Sequence, residues 1–234
     1  MLSSCSLTKH VPENQYLLDK YEIITDEGKL DKDEINNYIR QKPNKKILGM
    51  KFHLSVYNLS KKDKNNWFNR WLRSIGEEPV IFDEYARHKS ASQLKLYLKN
   101  KGYYNSSVRD TTTLRKRKAA NLFYLEMNDP FRINKIRYEF EDASLESYIF
   151  SDSASTLLKK GELFDVDVLS AERERIELFL KNKGFYNFSK EYIFFNADSS
   201  MTSNLVDFTM VVKKFTEPVP AGGYREVPHP RYKI

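Results

Sequence analysis

The residue types that carry out chemistry are scattered in this sequence. His10, His53, His88 and His229 stand far apart, and there is no His-Glu-x-x-His pair to mark a zinc helix. No glycine-rich phosphate loop occurs, and no serine or cysteine sits in a nucleophile-elbow context. The acidic neighbours Glu77-Glu78 and Asp83-Glu84 read as helix-start charges or solvated loops. The expectation is a protein that is not an enzyme and takes no cofactor and no metal. The single cysteine, Cys5, ends Leu2-Ser3-Ser4-Cys5, where small residues ahead of the thiol suit a bacterial lipobox and make Cys5 a lipidation site. Only Met1 and Leu2 precede that motif, whereas a full signal adds a basic start and an apolar core, so the alternative is an incidental cysteine near a terminus. With no second cysteine, an intrachain disulfide is excluded.

The 234 residues allow one large domain or two of about 100 residues each. With 40% hydrophobic and 30% charged residues, the chain has enough apolar surface for a core in each half. No stretch approaches the ~18–20 apolar residues of a membrane-spanning helix. The net charge of +7 permits attraction to nucleic acid or to anionic headgroups and does not choose between them. Lysines and arginines are spread along the whole chain. Their densest run, Arg115 to Lys118, reads as a solvated hairpin connection.

An internal repeat organises these residues. Leu98-Lys99-Asn100-Lys101-Gly102-Tyr103-Tyr104-Asn105 returns as Leu180-Lys181-Asn182-Lys183-Gly184-Phe185-Tyr186-Asn187, an offset of 184 − 102 = 82. The same offset aligns Phe82-Asp83 with Phe164-Asp165, Leu94 with Ile176 and Tyr97 with Phe179. Leu94, Tyr97 and Leu98, like Ile176, Phe179 and Leu180, fall on one helical face. Gly102 and Gly184 stand where each helix must stop, because glycine enters the left-handed cap conformation without steric penalty. An aromatic pair and a strand-like segment follow, Tyr103 to Thr113 and Phe185 to Phe195. Second strands with period two come next, through Phe123, Leu125 and Met127 and through Val206, Phe208, Met210 and Val212.

Opening strands are expected around Leu18, Tyr21 and Ile23 and around Ile136, Tyr138 and Phe140, with Leu18-Asp19-Lys20-Tyr21 echoed by Ile133-Asn134-Lys135-Ile136. Shorter helices over Lys32–Gln41 and Leu145–Leu158 complete two β-α-α-β-β units. The fold class is therefore α+β, a small mixed sheet covered by two helices in each unit.

The expected boundaries are a leader over 1–15, a first module over 16–129, a second over 130–216, and a Pro/Gly linker over 217–234. That linker runs into the start of a third module at Pro230-Arg231-Tyr232-Lys233-Ile234. The first module carries an insertion at about 45–79. In it, Ser60 and Asp63 are placed as an N-cap pair, Trp67, Trp71 and Ile75 share a helix face, and Gly76 ends the helix. That stripe reads as a helix docked on the module, the alternative being a partner-binding surface.

A tandem of such modules, each ending its long helix in Lys-Gly-aromatic-aromatic-Asn, resembles the POTRA domains of BamA/TamA-type outer-membrane assembly proteins. The resemblance runs over roughly Tyr16 to Val212. The stretch from Cys5 to Leu18, together with Arg40 to Asn44, is most similar to the lipidated TamA-like (TamL) type of Bacteroidota. The resemblance implies a periplasmic segment, anchored to the outer membrane through a lipid and through a barrel that this chain lacks. It also implies unfolded outer-membrane clients, a TamB-like partner, and β-augmentation, in which an extended client adds a strand to an open sheet edge. The edge it points to lies at Tyr104, Asn105, Val108, Tyr186, Asn187 and Tyr192.

Two other readings compete. Lys183-Gly184-Phe185-Tyr186-Asn187-Phe188 superficially resembles a ribonucleoprotein motif, but Tyr186 stands where Gly or Ala is needed and the segment follows a helix. No nucleic-acid partner is expected. The other is a structural spacer in the periplasm.

Overall fold

A computed structural model describes residues 7–26, 30–200, 203–220 and 222–232. Cys5 lies outside the described residues, as do Lys233 and Ile234. Two compact units form, the first from Met1–Tyr97 and Ser106–Met127, the second from Leu98–Asn105 and Asn128–Ile234.

In the first unit, strand β1 (Leu17–Thr25) is followed by the short helix α1 (Lys32–Asn36), then α2 (Phe52–Leu59), α3 (Trp67–Ile75) and the long α4 (Glu84–Asn100), which runs on into residues grouped with the second unit. Strands β2 (Ser107–Arg115) and β3 (Lys118–Glu126) complete a sheet of order β1-β3-β2, with β1 parallel and β2 antiparallel to β3. The second unit repeats the plan: β4 (Arg132–Phe140), α5 (Ala143–Ser151), α6 (Val166–Asn182), β5 (Ile193–Ser200) and β6 (Leu205–Val212) give the order β4-β6-β5. Both units are thus β-α-α-β-β, as expected from the repeat, and the first carries two further helices.

The cores follow the predicted alternation. Phe123, Leu125 and Met127 are buried on β3, and Val206, Phe208, Met210 and Val212 on β6. Leu94, Tyr97 and Leu98 of α4, and Ile176 and Leu180 of α6, are buried too. Each long helix starts on the aspartate that the offset aligned. Asp83 accepts from Tyr85 N and Asp165 from Asp167 N, satisfying backbone donors that have no intrahelical partner. The sequence echo in the opening strands also has a structural counterpart. Both parallel pairings are interrupted at the same place, between Leu18 and Lys20 and between Ile133 and Lys135.

Several elements differ from expectation. The first short helix ends at Asn36 and the second at Ser151, ahead of Gln41 and Leu158. The insertion holds two helices, and Ser60 is the C-cap of α2, where its backbone N–H bonds Tyr57 O. The N-cap of α3 is Asn66, whose side chain accepts from Asn69 N; this displaces the expected Ser60/Asp63 pair. The insertion is closed at its base by Asn44, which donates to Glu78 O and accepts from Val80 N. The Pro/Gly stretch read as a linker contains a hairpin, β7 (Phe215–Pro218) with β8 (Tyr224–Val227). Gly222 and Gly223 at φ +92° and +90° supply the backbone reversal that this turn requires.

Candidate functional site

Each sheet has one edge partly closed and one edge open. Leu18 N donates to Val80 O and Phe82 N to Tyr16 O, so the segment leading into α4 pairs with the start of β1. In the second unit, Ile133 N donates to Glu162 O and Phe164 N to Phe131 O, where Glu162 and Phe164 stand one 82-residue offset after Val80 and Phe82. β2 and β5 lie at the opposite edges, with β3 and β6 as their only strand neighbours among the described residues. An unpaired edge is a template for another strand.

The latches that hold these edges to the helices differ. On β2, Asp110 meets Arg87 Nε of α4 at 2.7 Å, and Arg87 also donates to Thr112 Oγ1. On β5, Ile193 is buried in the cluster that holds Ile176 and Leu180 of α6, and Phe195 packs against the same cluster.

Of the six residues assigned to the edge, only Val108 lies in a strand. Tyr104 and Asn105 occupy the turn before β2, Tyr186 and Asn187 the turn after α6, and Tyr192 the 3-10 turn Lys190–Tyr192. The strands start later than Tyr103 and Phe185 because each helix ends in a closed cap. Gly102 N bonds Lys99 O and Tyr103 N bonds Leu98 O, while Gly184 N bonds Lys181 O and Phe185 N bonds Leu180 O. Tyr103 and Phe185 are buried beside those carbonyls, the apolar contact that accompanies such a cap. Gly102 and Gly184 have φ +91° and +98°.

The cap glycines also form a repeated joint within the second unit. Gly102 O accepts from Phe131 N and Gly184 O from Tyr232 N. The rings one turn later follow suit, Tyr104 on Phe131 at 5.3 Å and Tyr186 on Tyr232 at 6.1 Å between centroids. An added Cβ at Gly102 would press on Phe164 O and Phe131 O at 3.2 and 3.3 Å, and at Gly184 it would collide with Tyr232 O.

Trp67 and Trp71 do not enter a core. They are 72% and 50% exposed, and the face of α3 that docks carries Asn69 and Leu72. Period alone says that residues share a face and leaves open what covers it.

The ribonucleoprotein-like segment lies in a turn. Phe185 and Phe188 are buried, which removes two of the rings that would stack on bases.

The buried titratable groups serve the fold. Lys51 bonds Leu18 O, Asp19 O and Asp19 Oδ1 at the β1 irregularity, and burial lowers its pKa against the opposing pull of Asp19. Asp142 caps α5 and accepts from His229 through both its backbone N–H and Nδ1. Burial pushes the His229 pKa down, and Asp142 only partly restores it. For Asp142, burial acts upward but is outweighed by hydrogen bonds from Ser144 and His229, so its carboxyl titrates below the usual range. His229 packs against Phe188, Tyr192 and Phe215. Among the described residues no group of three His, Cys, Asp or Glu is arranged to hold a metal ion. No helix among them is long and apolar enough to cross a membrane.

No protein-family model matches the sequence, and no curated protein does. Among solved structures, the chain is similar to BamA POTRA3-5 of Haemophilus influenzae, with 12% identity, a TM-score of 0.44 and coverage of 87% of this chain and 68% of that one. BamA of Haemophilus ducreyi lacking POTRA domains 1-3 gives 16% identity and a TM-score of 0.43, with 86% of this chain covered and 30% of that one. POTRA1-2 of Omp85 from Anabaena gives 9%, 0.34, 85% and 96%. The assignment of the fold rests on the strand order and the repeated β-α-α-β-β plan described above.

Proposed function

We propose that this chain is a periplasmic, non-catalytic POTRA segment of an outer-membrane biogenesis protein of the BamA/TamA superfamily, of the TamL type. It receives extended clients by β-augmentation on β2 and β5 and presents them to a downstream barrel. The observation that carries the reading is the edge asymmetry: both units close the start of the parallel edge with the segment before the long helix, and among the described residues no further strand pairs with the antiparallel edge. Main-chain pairing there supplies affinity with little demand on client sequence. Lipidation at Cys5, a TamB-like partner and periplasmic location at the outer membrane belong to the same proposal and rest on the family resemblance.

The proposal extends to a third module. Tyr232 repeats at Gly184 the joint that Phe131 makes at Gly102, and Tyr232-Lys233-Ile234 repeats the order aromatic, basic, isoleucine of Phe131-Arg132-Ile133. This supports reading Tyr232 as the entry to another opening strand.

A photo-crosslinker placed at Thr111 on β2 or Phe194 on β5 tests the function. A synthetic peptide of about 10 residues with the alternating pattern of a barrel strand is expected to crosslink there and not at Ser92 on the exposed side of α4. Equal labelling at Ser92, or none at the edges of a folded protein, sinks the augmentation reading and leaves that of a spacer.

A further inference from the structure

The insertion of the first unit combines two properties. The first is charge. Between Lys45 and Gly76 stand eight cations (Lys45, Lys46, Lys51, Lys61, Lys62, Lys64, Arg70, Arg73) and one acid, Asp63, a net of 8 − 1 = +7. The whole chain is also +7, so the remaining residues sum to 7 − 7 = 0. That zero is a sum over unlike stretches: Tyr85 to Lys118 holds ten cations and one acid, so the insertion is one of two basic segments, and what sets it apart is the exposed aromatic face it carries as well. Lys51 is buried on Asp19, whereas the five other lysines and Arg70 are exposed. The two acids that follow are engaged at the base of the insertion, where Glu77 accepts from Lys45 N and Glu78 from the Tyr57 hydroxyl.

The second property is inverted amphipathicity. At 100° per residue, Trp67, Trp71, Ile75 and Phe68 of α3 fall within one arc of about 100°, and all four are exposed. Asn69 and Leu72 face the protein, and Arg70 and Arg73 occupy the remaining side. The helix therefore turns its aromatic face outward and flanks it with arginine. A second apolar element precedes it. Ile47 and Met50 exchange two backbone hydrogen bonds around a two-residue turn, with Leu48 at φ +49° and 94% exposed. Such turns favour Asn, Asp or Gly at that position. Here a leucine is held in the left-handed region, which costs about 1–2 kcal/mol, and is presented to solvent beside exposed Ile47 and Met50 and behind Lys45-Lys46. His53 of α2 ties that helix to the end of α3, its Nδ1 meeting Ile75 O, one residue after exposed Phe52.

We propose that this insertion is a membrane-surface anchor: the Leu48 turn and the aromatic face of α3 enter the headgroup region of a lipid bilayer while the surrounding lysines and arginines bind anionic headgroups. Tryptophan concentrates at that depth because its ring is apolar and its N–H polar. A short helix with aromatic and basic faces lies in the plane of the interface. Charge selects the lipid occupant. A protein partner would need a matching acidic surface, whereas anionic headgroups supply that charge along any bilayer, and lysine stems reach the phosphates while covering apolar surface.

Trp67 and Trp71 are the only tryptophans of the chain, so intrinsic emission reports this helix alone. The full chain is mixed with vesicles of phosphatidylcholine, or of phosphatidylcholine with phosphatidylglycerol, and followed by emission and flotation. Anionic vesicles should shift the emission to the blue and float the protein, and added salt should weaken both. Arg70→Gln and Lys64→Gln should each lower partitioning on the order of fivefold, the effect of about 1 kcal/mol per cation near the surface. The triple variant Leu48→Ser, Trp67→Ser, Trp71→Ser should stop floating while keeping its melting temperature, because all three side chains are exposed. No emission shift with anionic vesicles overturns the proposal and leaves a protein partner as the occupant. Unchanged flotation of the folded triple variant overturns it as well, because binding then lies elsewhere.

Discussion

The two open edges, β2 and β5, occupy the same place in the same plan, yet they are held to their helices by opposite chemistry. β2 is fastened through a shielded ion pair, Arg87 with Asp110, whose side chains are 11% and 13% exposed, and through Thr112. β5 is fastened by apolar packing, with Ile193 and Phe195 set against the cluster that holds Ile176 and Leu180 of α6. A topology specifies where an edge lies and not what fixes it. A polar latch depends on every member being satisfied, whereas an apolar latch degrades gradually with lost area. The first unit also carries the charged, aromatic insertion, and the second the pinned hairpin and tail.

The largest expected effect comes from breaking the polar latch. Arg87→Met leaves the shielded Asp110 with only the His88 Nδ1 at 3.2 Å among the described residues and should destabilise the first unit by about 3 kcal/mol, with the double variant Arg87→Met, Asp110→Leu recovering most of it. The matched change Ile193→Ala should cost the second unit about 3 kcal/mol, with no comparable rescue by a second site. Urea titration combined with amide exchange resolves the two units; equal rescue in both would erase the distinction.

A second test uses pH. Folding lowers the pKa of His229 from its ordinary 6.5 and that of Asp142 from 3.8. The unfolded chain therefore binds more protons than the folded one in the window just below each ordinary value. Stability contributed by His229 is full above pH 6.5 and falls as pH drops through the lowered value; that of Asp142 follows the same sign further down. The slope approaches at most about 1.4 kcal/mol per pH unit for one proton. His229→Phe keeps an aromatic ring against Phe188 and Tyr192 and should flatten the dependence between pH 6.5 and 5. A slope unchanged by that substitution would show that other groups carry the acid sensitivity.

The smallest effect concerns the β2–β3 turn, where Lys116 and Arg117 both take positive φ, +48° and +60°. Arg117 is anchored by bonds to Val11 O and Pro12 O, while Lys116 has only the backbone constraint to hold it there. Lys116→Asn should raise the stability of the first unit by about 0.5 kcal/mol, since asparagine tolerates this conformation better. Thermal melting against Arg117→Asn, which also removes the anchor and should be neutral or destabilising, sharpens the contrast.

Much of this architecture could be read in advance because it is local. The cap glycines, the apolar stripes of the long helices and the alternation on β3 and β6 each depend on neighbours within a few residues, and the 82-residue offset doubles every such signal; the caps Asp83 and Asp165 are only aligned by that offset. The strands start at Ser107 and Ile193, and not at Tyr103 and Phe185, because the helix caps and following turns consume residues that look strand-like. The Pro/Gly stretch after Val212 hid a hairpin, since turn residues mark both linkers and reversals.

Three features belong to the tertiary level alone. Which edge stays open depends on Val80–Phe82 and Glu162–Phe164 pairing with strands far away in sequence. The Arg87–Asp110 latch joins a helix to a strand that lies beyond the turn following it. The outward aromatic face of α3 follows from Asn69 and Leu72 winning the contact with the protein. In each case local pattern sets what a residue is able to bury or bond, and long-range packing selects which of those partners it meets.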